Sequence, residues 1–262
     1  EGFYNIGIGP SAGGSITTGD YNIAIGYAAF DAATTAGSTI AIGYAALSAY
    51  THAENSFNVA IGTQTAYLKT SGRFNTYIGG YKVADADLTG QYNAYFGSYT
   101  NQFGTDTDDT TLIGYKAGRY ATGSYNTFVG SEAGHGGTTS APYSSGEKNV
   151  ALGYQALMSF TTAQRMVALG FEAMTDVTTG EDSVAIGYQA GYYNSGSYSV
   201  SIGMSAGYYP SAGSNVYMGY RAGNISRGNS NTAIGASAIR YLNAGNQNVA
   251  VGNTAGSYLL GT

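Results

Sequence analysis

The chain has 262 residues, among them 41 glycines, 26 tyrosines, 3 prolines and no cysteine, and a formal net charge of −5. Without cysteine there is no disulfide frame and no thiolate chemistry. The scattered Lys and Arg residues lack the clustering that phosphate binding needs, so no nucleic acid partner is expected. No apolar run approaches the ~20 residues of a membrane span, so no membrane insertion is expected.

One unit then recurs from end to end. An aliphatic, Phe or Met residue precedes a glycine at Gly9, Gly26, Gly43, Gly62, Gly79, Gly97, Gly114, Gly130, Gly153, Gly170, Gly187, Gly203, Gly219, Gly235 and Gly252. The intervals are 17, 17, 19, 17, 18, 17, 16, 23, 17, 17, 16, 16, 16 and 17 residues. Self-similarity at a short period marks a repeat architecture, in which each unit buries its apolar surface only against its neighbours. Residues 1–262 therefore read as a single repeat domain. The chain opens and closes inside the pattern, as a processed or excised segment would.

Counted from the anchor glycine as zero, position −4 is Asn in ten units, among them Asn22, Asn58, Asn75 and Asn149. Position −3 is Val, Ile or Thr except at Ala94, position −1 is most often Ile, and position +3 is Ala in twelve units. Position −2 is mostly Ala, and a second glycine recurs at −7. Alternation of branched and small residues is the period-two signal of a strand, and Gly and Asn at −7 and −4 bracket a turn. Helical repeats need longer units and better helix formers. The prediction is an all-β chain, a parallel β-solenoid of about 15 coils with a ~17-residue repeat, each coil holding two short strands and two bends. Stacked coils would align the Asn side chains into an amide ladder.

On this reading the −3 and −1 side chains fill a thin coil interior. The small residues at −2 and zero then form an outer flank on which another backbone can approach closely. Ala24, Gly26, Ala41, Gly43, Ala151, Gly153, Ala185, Gly187, Ala250 and Gly252 are the lateral-interface candidates. The plainer reading is that this flank faces solvent, although Ala and Gly suit an exposed strand poorly.

The Asn-Val-Ala-Ile-Gly-Tyr type of unit, clearest at residues 22–29, 58–62, 149–156, 183–191 and 248–256, resembles the head repeats of YadA-like trimeric adhesins. Similar units occur in bacteriophage tail-fibre proteins and in trimeric autotransporter adhesins. The resemblance implies a left-handed parallel β-roll assembled as a homotrimer about a three-fold axis, attachment to a host cell-surface glycan or protein receptor as the activity, and no cofactor. It implies a place in the virion as a tail fibre, or at the cell surface. The units are longer than the shortest adhesin repeats, and their Tyr-rich or Thr-Thr bends look more like the phage form.

Few features suggest chemistry. The 23-residue interval after Gly130 inserts a loop near residues 135–145, where His135, Thr138 and Tyr143 are receptor-contact candidates. A tolerated bulge without a partner explains the same insertion. Tyrosines at +1, such as Tyr27, Tyr44, Tyr154 and Tyr188, suit sugar stacking, or merely stack on one another. The run Asp106-Thr107-Asp108-Asp109 reads as a solvated bend rather than a calcium loop. Thr pairs such as Thr17-Thr18 and Thr161-Thr162 lack the Thr-X-Thr strand of an ice-binding face. With two histidines, His52 and His135, and no Ser-His-acid arrangement, no catalytic or metal residue is assigned and no enzyme is expected. A self-assembling extracellular filament subunit is the alternative to the attachment role.

Overall fold

The computed structural model describes residues 2–194, 196–210, 212–243 and 245–259. It divides into two compact units, Glu1–Asn126 and Thr127–Thr262. Among the described residues there is no helix, and each unit is a parallel β-solenoid.

In the first unit seven strands, from Ile6–Ile8 to Thr111–Ile113, pair in chain order. In the second, eight strands from Thr127–Val129 to Val249–Val251 do the same. Every one starts at repeat position −3, and identical positions meet in register: Ile23, Ala24 and Ile25 lie on Ile40, Ala41 and Ile42, and Val167, Ala168 and Leu169 lie on Val184, Ala185 and Ile186. The repeat is thus the rung of a ladder, as expected.

The second strand per coil is not general. Among the described residues it forms only at Tyr209–Pro210, Ile225–Ser226, Tyr241–Leu242 and Tyr258–Leu259, which make a separate four-stranded parallel sheet. Those coils follow Gly203, Gly219, Gly235 and Gly252, which are spaced by 16, 16 and 17 residues. In the other coils this stretch is a chain of turns. Residues at +2 and +4 take left-handed backbone, as at Ala28 (φ 51°) and Phe30 (φ 53°), yet still bond to the next coil: the Phe30 amide donates to the Ala46 carbonyl at 2.9 Å.

The two faces of the strand are the reverse of the sequence expectation. Position −2 points inward: Ala24, Ala41, Ala151, Ala185 and Ala250 are all buried. Positions −3 and −1 point outward, with Ile8 57% and Leu152 51% exposed. The proposed small-residue flank is therefore the inner wall of the coil and not a lateral surface. Its partner glycines serve stacking. A Cβ on Gly26 would lie 2.5 Å from the Gly43 carbonyl oxygen, and Gly43, Gly153 and Gly187 are closed in the same way by the next anchor, each at positive φ. Gly252 has open space instead, with only the Ala255 methyl within reach.

The reason is width. Tight turns keep the coil narrow, and opposite the strand position +4, which the sequence pattern did not single out, supplies a large side chain in several coils. Ala24 is matched by buried Phe30, Ala41 by Leu47, Ala151 by Leu157, Ala168 by Met174 and Ala233 by Ile239. Where −2 is large, +4 shrinks: Leu112 meets Gly118, Phe128 meets Gly134 and Tyr217 meets Gly223. A Cβ on Gly118 would sit 2.8 Å from the Leu112 side chain. The exchange is not general: Ala60 is matched by buried Ala66 and Ala185 by Gly191, whereas Tyr95 is matched by buried Asn101.

The expected Asn ladder is present and buried. The Asn75 amide nitrogen donates to Asn58 Oδ1 at 2.9 Å, Asn75 Nδ2 donates to the Gly90 carbonyl at 3.0 Å, and Asn75 Oδ1 accepts from the Asn93 backbone at 3.0 Å. One residue thus ties three coils. Asn75→Ala orphans a buried amide and is expected to cost about 1–3 kcal/mol, read as a lower urea midpoint at unchanged slope.

Buried tyrosines make the fold sensitive to alkali. Burial pushes the Tyr50 and Tyr217 hydroxyls up to about 12. Above pH 10 the unfolded chain releases these protons while the folded chain keeps them, so stability falls as pH rises from about 10 to 12. We expect a loss on the order of 1–2 kcal/mol per tyrosine after allowing for solvent screening, seen as a falling denaturant midpoint. Tyr50→Phe should flatten part of that fall.

Candidate interaction surface

The period-two alternation continues beyond the strand, so positions −5, −3, −1 and +1 all project from one side of each coil. In the first unit Tyr21, Ile23, Ile25 and Tyr27 form one such row, and Tyr21 and Tyr27 are exposed. In the second unit the outward residues include Val150, Leu152, Tyr154, Ile186, Tyr188, Met218, Tyr220 and Ile234. Scattered exposed apolar residues are ordinary, whereas a contiguous apolar face running over successive coils marks an interaction surface.

Aromatic rows edge that face. At position −5, Tyr4 stacks on Tyr21 with ring centroids 5.1 Å apart, and Phe57, Phe74 and Tyr92 stack at 5.2 and 5.4 Å. At +1, Tyr27 stacks on Tyr44 at 5.5 Å, and Tyr154, Phe171 and Tyr188 at 5.1 and 5.5 Å. Position −5 takes left-handed backbone in every coil, as at Tyr21 (φ 60°) and Arg165 (φ 55°). In the second unit the −5 row includes charges. Arg165 Nε donates to Asp182 Oδ1 at 2.7 Å, which holds the Asp182 carboxyl below the usual carboxylate range, and Arg165 also contacts Glu181.

Past the +1 row of the first unit lies a groove of about 370 Å³, lined by Tyr27, Ala28, Asp31, Tyr44, Ala45, Ser48, Ala49, Gln64, Tyr67 and Leu68. In the second unit Tyr192, Tyr193, Tyr208 and Tyr209 form a two-by-two block, with Tyr193 and Tyr209 stacked at 4.4 Å and Tyr192 and Tyr208 at 5.2 Å.

The insertion leaves the coil after Gly134, as expected. Its base is tied down: Gly136 and Gly137 amides donate to the Met158 and Phe160 carbonyls at 3.0 and 2.7 Å, and Thr138 Oγ1 lies 3.2 Å from Ser144 Oγ. The predicted contacts His135, Thr138 and Tyr143 are half-buried at this base, whereas the exposed tip is Thr139, Ser140, Ala141 and Pro142. The acidic run caps neighbouring backbone. Asp106 Oδ1 accepts from the Thr89 hydroxyl at 2.7 Å, Asp108 Oδ1 accepts from the Gln91 amide at 2.8 Å, and Thr107 is buried against the Tyr95 hydroxyl. Among the described residues no three His, Cys, Asp or Glu side chains gather as a metal-binding group.

No protein-family model matches this chain, and neither a curated protein nor a solved structure does so.

Proposed function

We propose that this chain is a structural attachment protein, a trimeric fibre segment of a phage tail fibre or of a bacterial surface adhesin. The resemblance of its units to YadA-like head repeats supports the class. The observation that carries the reading is the apolar outer face at −3 and −1. A single chain leaves those Ile, Val and Leu side chains in water, and a closed three-fold arrangement of identical faces covers them without leaving an open edge. The assembly holds weak contact surfaces in threefold register, so that avidity multiplies a modest affinity.

Light scattering on the purified chain tests this directly. A discrete particle of three times the 26.9 kDa chain mass is expected. A monodisperse single chain overturns the trimer, and open-ended polymers would favour a filament subunit instead.

A further inference from the structure

The groove beside Tyr27 and Tyr44 exists because two neighbouring coils depart from the repeat in the same way. Position +2 carries Gln, Lys, Glu, Arg, Ser, Thr or Tyr elsewhere, as at Gln64, Lys116, Glu132, Gln155, Glu172, Gln189 and Arg221. Only Ala28 and Ala45 have Ala there. Those two methyl groups form the floor, and no long side chain fills the space between the +1 and +5 rows. Tyr27 and Tyr44 wall one side, 52–55% exposed and stacked 5.5 Å apart. Their carbonyls accept the Ala45 and Gln64 amides at 2.9 and 2.8 Å, which fixes the backbone beneath the rings. At +1 of the next coil stands Thr63, so the aromatic row stops there, and Tyr67 and Leu68 close that end. Asp31, Ser48 and Gln64 add a carboxylate, a hydroxyl and an amide.

We propose that this groove binds a neutral oligosaccharide. The inference adds a ligand class to the attachment role and rests on that reading for its purpose, not for its geometry. Pyranose rings present flat apolar C–H faces edged by hydroxyls. Aromatic walls with a few polar groups at fixed positions match both features. The two rings lie 5.5 Å apart on successive coils of the first unit, so each meets one of two consecutive sugars in a chain. Asp31 accepts hydroxyl hydrogen bonds, and with the chain's net charge of −5 it repels carboxylated or sulfated sugars.

The test uses the whole chain and the variant Ala45→Gln. Gln stands at the same left-handed position in other coils, with φ 52° at Gln64, 52° at Gln155 and 51° at Gln189, so the variant fills the groove with a side chain the fold accepts. Tetrasaccharides of glucose, galactose, mannose and N-acetylglucosamine, with sialyllactose as the anionic counterpart, are titrated by calorimetry and by saturation transfer from the tyrosine rings. At least one neutral tetrasaccharide should bind, with affinity at least tenfold lower for Ala45→Gln and no change in circular dichroism. Absence of binding by every neutral probe at millimolar concentration overturns the proposal, as does equal binding by the variant or tighter binding of sialyllactose. Mass measured on the same samples separates the two readings: a three-chain particle without sugar binding sinks the groove alone, and a single chain that binds sugar sinks the trimer alone.

Discussion

Ile25→Asp combined with Ile186→Asp is expected to convert the proposed three-chain particle into single chains that remain folded. Both residues lie at −1 on the outer face, half-buried at Ile25 and 38% exposed at Ile186, so the coil interior does not feel the change. In a three-fold assembly each substitution brings like carboxylates together where apolar contact was lost, which costs several kcal/mol per site. At least a hundredfold weakening, about 2.8 kcal/mol, should follow, read as a fall to the 26.9 kDa chain mass with the β circular-dichroism spectrum retained. A variant that keeps three-chain mass would show that this face is not the contact. The matching change on the other side of the strand behaves differently. Ala24 is 1% exposed, and Ala24→Arg drives a guanidinium into a filled coil, so it should unfold the first unit rather than dissociate the assembly.

The second large effect lies inside the first unit. Lys69 and Asp87 are fully buried at equivalent points of adjacent coils, with Lys69 Nζ 3.3 Å from Asp87 Oδ2 and 2.6 Å from the Gly90 carbonyl. Asp87 Oδ2 also accepts the Tyr77 hydroxyl at 2.6 Å, and its Oδ1 accepts the Gly90 amide at 2.9 Å. Burial lowers the Lys69 pKa, with Asp87 opposing the shift. Lys69→Met leaves the carboxylate without its cation and should cost about 3–5 kcal/mol by urea unfolding. Lys69→Met with Asp87→Asn restores most of that, because no charge is left buried, the amide oxygen still accepts from the Gly90 amide, and the amide nitrogen can donate to the Tyr77 hydroxyl oxygen. A loss below 1 kcal/mol for the single variant would mean that Asp87 is held by its other two donors alone. The pH sign follows from the lowered lysine. Between its folded pKa and 10.5 the unfolded chain binds more protons, so this residue makes stability rise with pH, opposite to the buried tyrosines above pH 10.

Neither effect was equally visible in the chain itself. The Ile-Gly interval, the Asn at −4 and the glycine at −7 were enough for the parallel ladder and its amide row, because each demands one local geometry wherever it recurs. Nothing in the chain marks Lys69 as buried, since its partner is 18 residues away and meets it only through stacking. The groove was equally hidden. Ala28 and Ala45 are unremarkable singly, and become a floor only when two coils are superposed.

The order of residues alone determined the repeat, the coil spacing, the in-register strands and the place of the insertion, because these follow from backbone preferences at each position. Which face of the strand is core was decided only by the tertiary structure. A period-two pattern separates two faces without saying which is inside, and here the deciding quantity is the width of a tightly turned coil. Position +4 fills that width against Ala at −2, so the larger Ile and Val residues are left outside.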